Sequence, residues 1–170
     1  MADKAKSGDR NDGAIRRGGG SADAARAAGR YEVVCYDKHG VEKWRDTIQN
    51  LVTNQGLDYL LSAGLAGGSQ ITSWYVGLMS STPTAAAGDT LASHSGWTEV
   101  TAYADSRKAW TAGSVTSQSV SNTASPAEFA INGSATVGGA FLASAASGSS
   151  GTLYSAGAFS GGNKSVGSGD

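Results

Sequence analysis

The feature that most restricts the fold of this chain is a succession of short segments between Ile71 and the C-terminus. The segments contain β-forming residues, several of them alternate bulky and small side chains, and Gly, Ser, Asn or Pro separates them. This pattern is typical of a β-sandwich or jelly roll. The predicted strands cover residues 73–79, 97–103, 107–111, 114–121, 127–131, 135–143 and 151–159. Asn132-Gly133 predicts a hairpin turn between two of them.

A shortage of bulky side chains narrows the choice of architecture further. Gly, Ala and Ser number 25, 28 and 24, which is 77 of 170 residues, or about 45%. So few large apolar groups favour a thin β-sandwich over the thick core of an α/β protein. The composition therefore predicts a mainly β, sandwich-like or jelly-roll-like fold with thin layers.

A hairpin and one short helix precede this β region. Residues 31–37 and 41–46 predict two strands joined by a turn at 38–40. We expect Thr53 or Asn54 to cap the N-terminus of the helix. Residues 66–69 are expected to end it. A leucine stripe marks one helix face, and we expect it to face the core rather than serve as a recognition surface: Leu57, Leu60, Leu61 and Leu65. The connection 80–96 predicts a single helical turn capped by Asp89.

The first thirty residues differ in character from the rest. They carry seven basic and four acidic residues, a net charge of +3, whereas residues 31–170 carry −4. With so little apolar surface, we expect residues 1–30 to be a flexible arm that becomes ordered on a partner. The chain is thus predicted to have an arm, 1–30, and one β-sandwich domain, 31–170. The predicted partner-binding residues are basic: Arg10, Arg16, Arg17, Arg26 and Arg30.

Several functional classes are disfavoured by the sequence. No apolar run has the roughly 18 residues that a membrane span needs, and the polar N-terminus predicts no signal-dependent export. One cysteine and two histidines predict no zinc site, no metal and no cofactor. Cys35 is expected to be a buried thiol, and His39 a solvated turn residue.

A catalytic role is also disfavoured. His94 lies near Asp89 and between Ser93 and Ser95, but sequence proximity does not provide the geometry of a triad. No nucleophile-elbow motif frames a serine. We therefore expect a non-enzymatic protein. The expected position of Trp74, Trp97 and Trp110 is the core rather than a loop tip.

Four segments resemble small structural proteins of tailed-bacteriophage virions, and the similarity spans roughly 31–167. They are 74–78 (WYVGL), 87–100 (AGDTLASHSGWTEV), 107–110 (RKAW) and 121–129 (SNTASPAEF). The resemblance is to capsid decoration, cement or head-fibre proteins. It implies a β-sandwich on the outer capsid surface, made in the host cytoplasm, with the major capsid protein and other copies of itself as partners. It implies no catalytic or metal-binding residues.

Two functions follow as expectations. The first is a capsid decoration or cement protein whose arginine-bearing arm contacts the capsid; packaged DNA is a less favoured partner because four aspartates intersperse the arm. The alternative is a tail-fibre, head-fibre or adhesin component that contacts the virion or a host receptor. Only Glu128, Lys164 and Asp170 are charged after Lys108. This scarcity predicts self-association through a sheet edge between residues 111 and 159.

Overall fold

The structure is a computed structural model that describes residues 26–104 and 106–170. Its first unit is an antiparallel hairpin of β1 (Gly29–Tyr36) and β2 (Glu42–Val52). The turn between the strands is held by Asp37, whose carboxylate accepts hydrogen bonds from the backbone N–H groups of His39 and Val41. The predicted hairpin is confirmed, and β2 continues six residues beyond the predicted end.

Six strands form one antiparallel, curled sheet. Six further strands follow the hairpin along the chain, and four of them join it in this sheet. The six are β3 (Trp74–Met79), β4 (Lys108–Trp110), β5 (Ala135–Val137), β6 (Gly139–Ala143), β7 (Leu153–Ala158) and β8 (Lys164–Val166). The order in the large sheet is β1-β2-β7-β6-β3-β4, and β5 pairs with β8 in a separate two-stranded sheet. The mainly β fold class with one short helix is confirmed, while jelly-roll connectivity stays a prediction.

Apolar residues cover both faces of the large sheet, because successive side chains of a strand point to opposite sides. Leu78, Ala140 and Leu142 belong to one buried cluster, together with Val100 from a connecting segment. The adjacent strand residues Met79, Phe141 and Ala143 belong to the other cluster. Leu91 and Trp97, from the connection between β3 and β4, join them there. The scarce bulky residues are therefore divided between two thin layers.

The helix α1 (Asn54–Leu65) begins and ends as predicted. The Thr53 hydroxyl accepts a hydrogen bond from the Gly56 N–H, and Gly67 ends the helix with a φ of +70°. The packed face, however, contains Gly56, the only buried helix residue, and Tyr59, whose ring contacts that of Trp74. The prediction that the leucine stripe faces the core is wrong. Three of its leucines are half-buried and Leu65 is 77% exposed.

Three predicted strands do not form. Residues 97–103 make only isolated bridges, although Trp97, Val100 and Tyr103 are buried. Thr98 and Val100 form backbone hydrogen bonds with Ser80 and Leu78, so the segment runs beside the end of β3, and a spacing of three between buried residues does not match the period of two of a regular strand. Residues 114–121 are all exposed, and 127–131 contribute one isolated bridge, at Ile131.

The C-terminal region also differs in detail from the prediction. The segment 135–143 is two strands, β5 and β6, which separate at Gly138 and enter different sheets. Asn132-Gly133 does not join paired strands; the Asn132 N–H instead donates to the Ala102 carbonyl. β8 was not predicted, because its three residues lack the bulky alternation that marked the other strands.

Candidate interaction surface

The most exposed ordered segment is a loop that we call the outer loop, residues 111–126. It follows the edge strand β4, and every residue from 111 to 121 is exposed. It contains no charged residue. Backbone hydrogen bonds give it a defined shape, since the Gly113 N–H donates to the Ser121 carbonyl and the Ser125 N–H to the Asn122 carbonyl.

A tight turn at residues 116–119 forms the tip of the outer loop. Thr116 and Ser119 exchange two backbone hydrogen bonds of 2.9 Å each, and the two residues between them, Ser117 and Gln118, have φ values of +48° and +58°. Non-glycine residues in this region are strained, and such strain is concentrated at binding and switch sites. The flanking Val115 is 73% exposed and Val120 43% exposed. The loop therefore presents two apolar side chains on an uncharged, shaped projection.

The predicted arm arginines lie only partly within the described residues. Arg10, Arg16 and Arg17 lie outside them. Arg26 is exposed, and Arg30 is exposed within β1, where it forms an ion pair of 3.5 Å with Glu32. β1 begins at Gly29, and the predicted division into an arm, 1–30, and a domain, 31–170, stays a prediction.

His94 and Asp89 stabilise a loop around Trp97. The His94 ring stacks on the Trp97 indole at 3.7 Å, and its Nδ1 lies 3.0 Å from the Trp97 carbonyl oxygen. Asp89 Oδ2 accepts hydrogen bonds from the Trp97 Nε1 and from the Ala86 N–H. Among the described residues, no hydrogen bond joins His94 to Asp89 or to either serine. The prediction that Asp89 caps a helical turn is wrong, since the segment around it is irregular.

A buried arginine that the sequence did not single out connects three segments beside the outer loop. Arg107 binds both carboxylate oxygens of Glu99, at 2.9 and 2.8 Å. It also donates to the carbonyl oxygens of Ala145 and Gly148, and its guanidinium lies 5.0 Å from the centroid of the Phe141 ring. The residue immediately before β4 is therefore fixed in place. Because β4 follows Arg107 directly and the outer loop follows β4, these contacts also hold the start of the outer loop.

Asp46 is a second buried charge that holds distant segments together. Burial alone would raise the pKa of its carboxyl, but hydrogen bonds from Lys164, Ser160 and the N–H groups of Gly161 and Thr47 outweigh that effect. The pKa of Asp46 is therefore held well below its usual range. An ion pair of 3.0 Å with Lys164 in this way attaches β2 to β8, and the hydrogen bonds from Ser160 and Gly161 attach it to the segment between β7 and β8.

The other residues singled out from the sequence have structural positions. Cys35 is buried, and burial raises the pKa of its thiol. His39 is exposed at the hairpin turn, as expected. Trp97 is in the core, whereas Trp74 and Trp110 are half-buried and face each other across β3 and β4.

Neither a metal centre nor a membrane-spanning helix is found in 26–104 and 106–170. No three His, Cys, Asp or Glu side chains lie close enough there to bind a metal ion together. Nor does any helix in these ranges combine the length and apolar character that crossing a bilayer requires. Comparison of the chain with protein-family models, with curated proteins and with solved structures found no match.

Proposed function

We propose that this protein is a non-enzymatic structural component of a tailed-bacteriophage virion, which decorates and stabilises the capsid. The observation that carries the proposal is the outer loop, an ordered projection without charge that exposes Val115 and Val120. Such a surface, with apolar side chains and many hydroxyl and backbone groups, suits a large permanent contact. Isolated proteins usually keep charged groups on projections of this kind to limit association.

The charge distribution supports two kinds of capsid contact, ionic contacts by the arm and uncharged contacts by the outer loop. Residues 1–30 carry a net +3, and the remaining residues −4. A basic segment suits a capsid surface rich in carboxylates and carbonyl oxygens, while the outer loop supplies uncharged contacts. Each exposed ion pair of the arm contributes only about 0.2–1 kcal/mol, so the arginines act collectively.

The outer loop can be tested by substitution within the full chain. The variant Val115→Ser/Val120→Ser should bind capsids at reduced occupancy, because it removes the two apolar groups of the projection. The matched control is Val41→Ser, which changes a 62% exposed valine in the β1–β2 turn. Occupancy is measured by quantitative mass spectrometry of purified particles. Equal occupancy of all three proteins would contradict a role for the outer loop.

The arm requires a separate experiment. Replacing Arg10, Arg16, Arg17 and Arg26 with Gln should lower occupancy, and the loss should be the same on empty and DNA-filled heads. Replacing the four arm aspartates with Asn is the control, because it leaves the cations intact. A loss found only on DNA-filled heads would instead indicate that the arm binds DNA.

Copy number distinguishes decoration from the alternative of a fibre or adhesin component. Hundreds of copies per particle are expected of a capsid decoration protein. A dozen or fewer would indicate a component at the tail or at a single vertex and would overturn the proposal. In that case the exposed valines of the outer loop become candidates for receptor contact.

A further inference from the structure

The two edges of the large sheet differ in how well they are protected against pairing with another strand. One edge, β4, has only three residues and begins with Lys108. The other edge, β1, has eight residues and no proline or lysine, and its one register irregularity lies at its end, between Cys35 and Tyr36. Short length, lysine, proline and bulges are the usual means by which edges avoid pairing. β1 has none of these features along most of its length, and its two exposed charges, Arg30 and Glu32, are of opposite sign.

The free side of β1 is open within the described residues. All eight residues pair with β2, and within 26–104 and 106–170 no backbone hydrogen bond reaches β1 from the opposite side. In an antiparallel strand, alternate residues direct both N–H and C=O groups to each side. About half of the residues of β1 therefore offer unpaired groups to a further strand. The charge-poor strands β6 and β7, by contrast, pair on both sides, so they cannot supply the edge contact expected from the sequence.

We propose that two copies of this chain pair through β1 in an antiparallel, twofold arrangement centred on Tyr31. In this register Arg30 of each copy lies directly opposite Glu32 of the other. The two sheets then become one continuous sheet. This inference rests on the geometry and charge of β1, and it holds or fails independently of the proposed capsid role.

The charges on β1 select this register over its neighbours. Arg30 and Glu32 are exposed on one face of the strand, while Tyr31 and Val33 pack against the core cluster on the other. Directly opposite residues must share a face, so the twofold axis falls on a residue. An axis at Glu32 would place two glutamates opposite each other, which is destabilising. An axis at Val33 would place Glu32 of one copy opposite Val34 of the other, so that the charge of Glu32 would have no oppositely charged partner across the interface.

The experiment measures the association of the full chain by analytical ultracentrifugation between about 1 and 100 µM. The native protein should form dimers. Glu32→Arg should raise the dissociation constant by about tenfold or more, because two attractive pairs become repulsive. The double variant Arg30→Glu/Glu32→Arg should restore dimers, because it exchanges the charges and recreates both pairs.

A matched control separates the edge contact from effects on the hairpin itself. Glu42 forms an ion pair with Arg45, as Glu32 does, but it lies on β2, away from the free edge. Glu42→Arg should therefore leave the dimer intact while introducing the same repulsion with Arg45. Circular dichroism verifies that each variant is folded. A native protein that stays monomeric at 100 µM, or a dimer that withstands Glu32→Arg, would overturn the proposal.

Discussion

Replacing Arg107 with Met should destabilise the protein strongly. Arg107 is 7% exposed and donates four hydrogen bonds, two to the Glu99 carboxylate and two to backbone carbonyl oxygens. Methionine keeps an apolar stem against Phe141 but provides no donor. Removing one member of a buried ion pair costs about 3–5 kcal/mol, since its partner is left without a counter-charge. The Glu99 side chain is 27% exposed, and water offsets part of this cost. We therefore expect a loss near the lower limit, about 3 kcal/mol.

Urea unfolding followed by tryptophan fluorescence measures this loss as a lower midpoint at an unchanged m-value. For a chain of this length, the corresponding fall in melting temperature is on the order of 10 °C. Arg45→Met is the matched control, because Arg45 also contacts two carboxylates, those of Glu32 and Glu42, but its side chain is 48% exposed. It should change stability far less. If both variants lost the same free energy of unfolding, burial of the Arg107 pair would not be the source of its effect.

Two further variants test close packing and a buried charge. Gly56→Ala should destabilise the protein by about 1–3 kcal/mol, because the added Cβ would lie 2.3 Å from the Tyr154 carbonyl oxygen. Gly64→Ala is the control in the same helix; with open space around it, it should stabilise the protein by about 0.5–1 kcal/mol. Thermal unfolding measures both changes. Asp46→Asn should be less stable than the native protein near pH 7. The depressed pKa of Asp46 stabilises the fold above the unfolded carboxyl pKa of about 3.9, and this contribution is lost as the pH falls below it. The deficit in urea unfolding should therefore shrink near pH 2, and an equal deficit at both pH values would show that the charge is not its cause.

Local signals in the sequence were sufficient where a short segment determines its own structure. The hairpin turn before Val41 and the helix cap depend on residues within a few positions. The turn was predicted, and the cap was predicted to be Thr53 or Asn54, of which the structure has Thr53. The interval 97–103 was not, because Trp97 and Tyr103 are buried by contacts with strands that are distant in sequence. The absence of bulky side chains at alternate positions of 114–121 was the available sign that this segment has no face to bury.

The interaction surface was harder to predict than the fold. The position of Arg107 depends on carbonyl groups of Ala145 and Gly148, about forty residues further along, and no local pattern marks that contact. The open edge was expected among the charge-poor C-terminal strands. Strand order, which local composition does not determine, places β6 and β7 in the interior of the large sheet and β1 at its edge, while β5 lies at the edge of the two-stranded sheet. Self-association through the C-terminal strands stays a prediction.

The pairing of β2 with β7 has a consequence for synthesis of the chain on the ribosome. Leu51 and Val52 pair with Ala156 and Ser155, and the Thr53 N–H donates to the Tyr154 carbonyl, so the N-terminal hairpin and helix are completed by residues about a hundred positions later. At about 5–20 residues per second, that interval lasts roughly 5–20 s. Throughout it, the hairpin has two open edges instead of one, and the helix lacks the strand that covers Gly56. Neighbouring nascent chains on one messenger RNA carry the same hairpin, and the speed of elongation therefore sets how long each can pair with the wrong copy.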